Sequence, residues 1–367
     1  MVAFTRWWEG KSKFVERISS AMVCTLLGMA LANIGIIPNA GVVHDGVFDY
    51  AVPYAIVLVL LSSDLKQLVR AGRPMVVAFV IASVASFFGG LTAVFFLGAQ
   101  VGPEAANLGG VFTATFAGGS MNFVAVGEGL GIDASTFAAA AVVDNLSTVP
   151  YLMLQVWSVG VLGAFFLRRS GPEAETNALD EGEDPEALRR VWTHAEVNIR
   201  DLSFLAGLPL AVLWAARQLG EVVPDFPEVL WITTMALLLA QVPWIRKVRG
   251  TEMASYFLLH LFFLIIGSVA VIADVISAGL PILLFMLTVI AVHALIAYGA
   301  GWLFKIDLPT VSLASQAAIG GPGSALALGM AMKWHRLVMP AIIVGIFGYA
   351  LGNYLGFACA TLAAGLL

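Results

Sequence analysis

Apolar runs long enough to cross a bilayer follow one another along almost the whole chain, divided by short polar stretches. They fall at 18–38, 48–67, 74–98, 106–127 and 133–166, then at 203–219, 228–244, 253–275, 280–304, 309–332 and 337–363. Each holds about 17 residues or more and most hold over 20, the length a helix needs to span hydrocarbon. None shows the ten-residue alternation of a lipid-facing strand. The pattern therefore predicts an all-α polytopic membrane protein with roughly 10–11 transmembrane helices, because only helices or closed barrels satisfy backbone polar groups in lipid.

Composition agrees: 60% of residues are hydrophobic and 12% charged, with a mean hydropathy of +0.91, far from soluble averages. No basic patch for nucleic acid and no soluble catalytic domain is visible. Cys24 and Cys359 both lie in apolar runs and read as small packing residues. The apolar run at 21–38, behind a basic stretch, lacks a small-residue cleavage site and reads as a retained helix. A polar segment, 168–200, rich in Asp and Glu, separates a first membrane repeat (1–167) from a second (201–367) and reads as a mobile connector.

Charge orients the chain. Lys66, Arg70 and Arg73 in one loop, Arg246, Lys247 and Arg249 in another, and Arg6, Lys11, Lys13 and Arg17 at the start all belong on the cytoplasmic side. Ala71-Gly72-Arg73-Pro74 matches Ala278-Gly279-Leu280-Pro281, whose turn is uncharged and so belongs outside. Equivalent turns on opposite faces mean an inverted-topology repeat of about five helices. One count resists. Five runs separate the two basic loops, and an odd number would put them on opposite sides. Either 133–166, with Pro150 near its middle, is not one simple crossing, or 203–219 does not span; the second is favoured, since five helices per repeat give inversion naturally, and 203–219 also has no partner before residue 18.

Two glycine-rich stretches stand 202 positions apart, TATFAGGSMNFVAVG at 113–127 and SQAAIGGPGSALALG at 315–329. In register, Gly118 meets Gly320, Gly119 meets Gly321, and Thr113 meets Ser315. Breaks at matching places in two halves of a membrane protein predict discontinuous helices, whose freed carbonyls bind cations and whose half-helix N-termini bind anions. Thr113, Thr115, Ser120 and Asn122 flank the first break; Ser315, Gln316 and Ser324 flank the second. Asp144 and Asn145, mid-run, supply hard oxygen ligands for a coupling ion, and a carboxylate in hydrocarbon costs at least ~2.5–3.5 kcal/mol unless compensated. His260 and His293 read equally as proton relays or packing residues. Asp64 and Asp274 lie near run ends, Glu128 reads as a solvated residue, and Gly348, Gly352 and Gly356 form a small-residue packing stripe.

The stretches AGGSMNFVAVGEGLG, AAVVDNLSTVPYL, SQAAIGGPGSALALG and LVMPAIIVGIFGYALGNYLG resemble the membrane family catalogued as domain of unknown function 819. That family is grouped with the superfamily of cation:proton antiporters and bile-acid sodium symporters. The resemblance implies an inverted repeat, two broken helices crossing near mid-membrane, and a core domain that moves against a panel. It places an acidic or Asn/Asp pair after the first crossing helix, where Asp144-Asn145 falls, in an order unlike typical antiporters. It places Gln316 on the second crossing helix, where no acidic residue stands.

The expected function is an ion-coupled secondary transporter working by alternating access. Asp144, Asn145, Ser120 and Asn122 would couple the ion. Thr113, Thr115, Gly118, Gly119, Ser315, Gln316, Gly320, Gly321 and Ser324 would line the crossing-helix site. The partners are a coupling proton or sodium ion, a small anionic organic solute, the lipid bilayer and, as a candidate assembly, a homodimer; no cofactor is called for apart from sodium, and no nucleic acid. A cation:proton antiporter without organic substrate stands as the alternative. From other classes, an intramembrane hydrolase would use Ser120 with His260 or His293, and a scaffold would use none of these. The expected location is a bacterial inner membrane with a cytoplasmic N-terminus.

Overall fold

The computed structural model describes residues 1–9, 11, 20–170, 196–224, 226–269 and 272–366. Most of the acidic connector, Lys13, Arg17 and the side chain of Asp274 lie outside the described residues. Among the described residues every regular element is a helix. Apart from short turns of helix at Leu65–Gln67, Leu68–Ala71 and Ile245–Lys247, they are α1 (Val2–Glu9), α2 (Ser20–Asn33), α3 (Val42–Leu60), α4 (Arg73–Val101), α5 (Ala105–Gly118), α6 (Ser120–Leu130) and α7 (Ala134–Ser170). After the connector come α8 (Ile199–Val222), α9 (Glu228–Leu239), α10 (Thr251–Val269), α11 (Ile272–Leu303), α12 (Leu308–Ala331) and α13 (His335–Ala364). Seven of these helices are long and apolar enough to cross a membrane.

Local sequence signals start several helices. Asn198 and Asp201 form a reciprocal capping box at the head of α8. The Asp307 carboxylate accepts from the Thr310 backbone N–H at 2.9 Å at the head of α12. Gly72 at φ 81° and Pro74 in the first turn begin α4. The turn expected at Ala278–Pro281 lies inside α11 instead, where Pro281 sits in the helix.

The two basic loops meet at one end of the bundle. Arg246 pairs with the buried Asp64 carboxylate, and Gln241 bridges the same loops, donating to the Ser63 carbonyl at 3.0 Å and accepting from the Leu65 N–H at 3.2 Å. Removing one partner of a buried pair strands the other charge, so Arg246→Ala should destabilise the protein by about 3 kcal/mol. Chemical unfolding in detergent tests this, and an unchanged midpoint would mean that the pair does not form.

The glycine-rich segments fold back on themselves; they do not cross the bundle. In α12 the Ser324 hydroxyl donates to the Gln316 carbonyl at 3.2 Å across a separation of 8 residues, which a straight helix would hold about 12 Å apart. A Cβ on Gly329 would lie 3.4 Å from Leu313 Cδ2, although 16 residues of straight helix (329 minus 313) rise about 24 Å. Likewise a Cβ on Gly110, in α5, would lie 3.2 Å from Leu130 Cδ1 at the end of α6. Both segments are helical hairpins, which corrects the expectation of crossing helices. The reversal is local: Gly119 has φ 95°, ψ 179° and Gly321 has φ 73°, ψ −174°, a conformation that side-chain-bearing residues avoid. Pro322 then opens the second arm of α12.

Fold-back also resolves the odd count. α4 leaves the basic end, α5 runs back beside it (Gly109 against Val94, Gly90 against Thr113), and α6 returns to the far end, where Gly129 meets Val229 and Phe357. α7 then comes back, bringing Phe166 into the same cluster as Ala71, Met75, Leu308 and Trp334. α8 starts at the basic end, with Glu196 3.9 Å from Arg249, and reaches the far end, where Arg217 meets Glu228 and the Asp49 carbonyl. α9 carries the chain from Glu228 back to Gln241. Four traverses, α4, α7, α8 and α9, therefore separate the basic loops, an even number. The expectation that 203–219 does not span is corrected: α8 is 24 residues long and runs end to end. The 133–166 run is one helix with Pro150 inside it.

The core forms where α13 lies along the first hairpin. Gly348 sits against the Ala117 carbonyl, Gly352 against the Ala114 carbonyl and Gly356 against the Gly110 carbonyl; a Cβ would come within 2.7–2.9 Å of each. The stripe at i, i+4, i+8 is thus a backbone-to-backbone packing face, as read from the sequence. Hydrophobic driving force is weak between helices in lipid, so such close dispersion contact carries much of the association.

Candidate functional site

The two hairpins enter from opposite ends and touch at their tips: a Cβ on Gly119 would lie 3.2 Å from the Gly321 Cα. These two residues are the ones that the sequence register pairs. Each tip presents the C-terminus of one arm and the N-terminus of the next, so carbonyls and N–H groups converge there without intrahelical partners. Serines of α4 serve part of the first set: Ser83 donates to the Ala117 carbonyl at 3.4 Å and Ser86 to the Phe116 carbonyl.

Asp144 lies beside the first tip and is 3% exposed. Thr115, on the descending arm, donates to its Oδ1 at 3.0 Å, and Ser120, the first residue of the returning arm, also hydrogen-bonds the carboxyl. One carboxylate thus ties together both arms of the hairpin across its break. Thr148, one turn further along α7, approaches the second tip, where a Cβ on Gly320 would lie 2.7 Å from its Cγ2. Asp144 and Thr148 belong to a stripe that continues with Tyr151 and Gln155, at i+7 and i+11 from Asp144. Tyr151 bonds the Ser315 hydroxyl at 2.7 Å, and Gln155 donates to the Ser312 carbonyl at 3.1 Å. One polar face of α7 therefore touches both hairpins.

Sequence reading missed Tyr151 and Gln155. Their helical spacing from Asp144 was the available signal, but a Tyr and a Gln in an apolar run do not announce a partner. It also left His293 open between relay and packing. Its Nδ1 lies 2.8 Å from Ser86 Oγ and its Nε2 2.8 Å from Ser315 Oγ. Because Ser86 gives its proton to a backbone carbonyl, Nδ1 carries the ring proton, and Nε2 accepts from Ser315, which accepts from Tyr151. This fully buried chain joins α4, α11, α12 and α7. His260, by contrast, bonds the carbonyl of Tyr256 on its own helix through Nδ1.

Other expected site residues part company. Asn145 is half-buried and donates to the Ala141 carbonyl of its own helix at 2.8 Å, away from the carboxylate. Asn122 anchors the hairpin to α13: its Nδ2 donates to the Tyr349 carbonyl at 2.8 Å and to Asn353 Oδ1 at 2.9 Å. Asn353 in turn donates to Thr233 on α9 at 2.9 Å. Thr113 donates to the Ser86 carbonyl at 3.3 Å, which is an anchoring contact as well. Glu128 is half-buried near the far end in the field of Asp49, and is not a solvated loop residue. Asn122→Ala should cost about 1–3 kcal/mol, since the Asn353 amide oxygen is left buried and unpaired. Thermal unfolding in detergent reads this, with Asn122→Asp as the comparison that keeps shape and changes hydrogen bonding.

Three polar atoms near the tips stay buried with no hydrogen-bond partner: Asn122 Oδ1 and both amide atoms of Gln316, which is 0% exposed. Among the described residues no group of three or more His, Cys, Asp or Glu is arranged to hold a metal ion. The chain is 27% identical over 361 residues, 95% of its length and 90% of the other's, to a Bacillus subtilis (strain 168) protein described as "Uncharacterized membrane protein YjcL". A helical membrane protein of this architecture also matches, over residues 1–365, the model of the family described as "Protein of unknown function (DUF819)", and the chain belongs to that family.

Proposed function

We propose that the protein is an ion-coupled secondary transporter working by alternating access, and not an enzyme. The single observation that carries this reading is the pair of opposed hairpins meeting at Gly119 and Gly321 beside a buried carboxylate. Irregular backbone at membrane depth is tolerated only where it is buried in protein or lines a water-filled path, and intramembrane carboxylates default to function. Each hairpin separates the tips from one end of the bundle, so small movements of either would open the site to that side alone.

The order of elements supports an inverted repeat. The first unit is α2, α3, α4, the α5–α6 hairpin and α7; the second is α9, α10, α11, the α12 hairpin and α13. α4 and α11 pack antiparallel, with Gly89 against Val289 and Ser86 against His293, and the hairpins enter from opposite ends. An even number of traverses per unit would leave the units parallel; α8, the helix without a counterpart, turns the second unit over. Asp144, with Thr115 and Ser120, holds the proton or sodium ion, and the solute binds beside the tips. The hairpins, α4, α7, α11 and α13 form the core that moves against the remaining helices. We place the protein in a bacterial inner membrane with its basic loops in the cytoplasm.

The hydrolase reading finds less support, because the Ser120 hydroxyl bonds a carboxyl and both His293 nitrogens face other serines. The test is reconstitution into liposomes loaded with a pH-sensitive dye, followed by sodium and potassium pulses and by sodium-gradient-driven uptake of small carboxylates. Wild-type flux above protein-free liposomes is expected. No flux with any ion or solute would overturn the transporter reading.

A further inference from the structure

We propose that Gln316 is the group that recognises the transported solute, and that the solute is a small carboxylate with a neighbouring O–H or N–H donor, a hydroxy or amino acid. The inference rests on the transporter reading and names its substrate class. Its starting point is the Gln316 side chain, fully buried with neither amide atom paired. Buried polar groups are almost always satisfied, so two orphaned atoms on one side chain call for an absent partner.

Position fixes where that partner sits. Gln316 stands four residues after Ser312 and four before Gly320, on one face of the first arm of α12. Both neighbours on that face meet α7, Ser312 through Gln155 and Gly320 through Thr148. Gln316 therefore lies on the arm's α7-facing side, opposite the stripe that carries Asp144, Thr148 and Tyr151. On the other side of the break, the Ser324 hydroxyl already bonds the Gln316 and Gly321 carbonyls, so it holds the hairpin closed and leaves the Gln316 side chain without a donor.

The chemistry of the amide narrows the ligand. A bare cation would satisfy Oε1 and leave the Nε2 donor unpaired. A plain carboxylate would accept from Nε2 and leave Oε1 unpaired. A ligand with an acceptor and an adjacent donor satisfies both, and 2-hydroxy and 2-amino acids present that pair. No Lys or Arg occurs within 105–130, 134–166 or 308–331, so the arms and the α7 face supply no fixed positive charge for the solute carboxylate. The N-terminus of the second α12 arm and the cation held by Asp144 remain as counter-charges, which would make solute affinity depend on the ion.

The experiment measures thermal unfolding of purified protein in sodium with lactate, alanine or propionate, three probes of equal carbon number, for wild type, Gln316→Met and Asp144→Asn. Wild type should be stabilised by lactate or alanine and not by propionate. Gln316→Met should lose that preference, with apparent Kd for the preferred probe weakened about tenfold or more, while unfolding no lower than wild type without solute, because an unpaired amide has been removed. Retained preference in Gln316→Met, a lower unfolding temperature of the solute-free variant, or no response of wild type to lactate and alanine would each overturn the proposal. Asp144→Asn separates the two readings. Solute preference that depends on Gln316 but is untouched by sodium or by Asp144→Asn would leave recognition standing and remove ion coupling; ion-driven flux that is normal in Gln316→Met would do the reverse.

Discussion

Asp144→Asn is expected to reduce ion-driven flux in reconstituted liposomes to the protein-free baseline while leaving the fold intact. The substitution keeps an oxygen for the Thr115 and Ser120 hydroxyls, so the tie across the first hairpin survives. What disappears is the negative charge. A charge-assisted contact is worth about 1.5–3 kcal/mol, so ion affinity should fall by at least about 10- to 100-fold. Thermal stability without ions should hold or rise, since a desolvated carboxylate has been neutralised. Flux of wild-type size in Asp144→Asn would remove Asp144 from the coupling role, and a collapse of the fold would assign it a structural one.

The second large effect concerns packing. Gly118→Ala should destabilise the protein by about 1–3 kcal/mol or more, the usual range for overfilling a close-packed site. Its new Cβ would sit 2.1 Å from the Gly348 carbonyl oxygen and 2.5 Å from Asn122 Oδ1, so backbone has to shift. Helix propensity runs the other way, by about 1 kcal/mol in favour of Ala, and is too small to win. Gly323→Ala is the control: nothing lies within 4 Å of its added Cβ, and stability should be unchanged or slightly raised. If both variants unfold alike, the first hairpin does not lie against α13 as described.

Much of this was readable along the chain. Continuous apolar runs fixed helices over strands because lipid leaves no other way to satisfy the backbone. The register of the two glycine stretches located the breaks at Gly118-Gly119 and at Gly320–Gly323; within them, Gly119 and Gly321 are where the chain adopts a backbone that glycine takes readily. The Gly348, Gly352 and Gly356 stripe announced close packing, because small residues at helical spacing have that use in membranes. Asp144 drew notice because a carboxylate in hydrocarbon demands compensation.

Tertiary structure decided the rest. A broken helix that crosses and a hairpin that returns share one local sequence, and only contacts such as Ser324 to Gln316 separate them. That distinction changed the count of traverses and brought the two basic loops to one end, where Asp64 and Arg246 pair. Which polar residues face each other was equally hidden: Tyr151 and Gln155 gain meaning from Ser315 and Ser312, more than 150 residues away, and the Asn122 amide nitrogen anchors the hairpin because α13 runs beside it. Sequence alone determined a helical membrane protein with two matched breaks and one buried carboxylate, because burial in lipid and backbone conformation act residue by residue. The meeting of the hairpins at that carboxylate came from the tertiary structure, since contact between distant segments depends on the path of the whole chain.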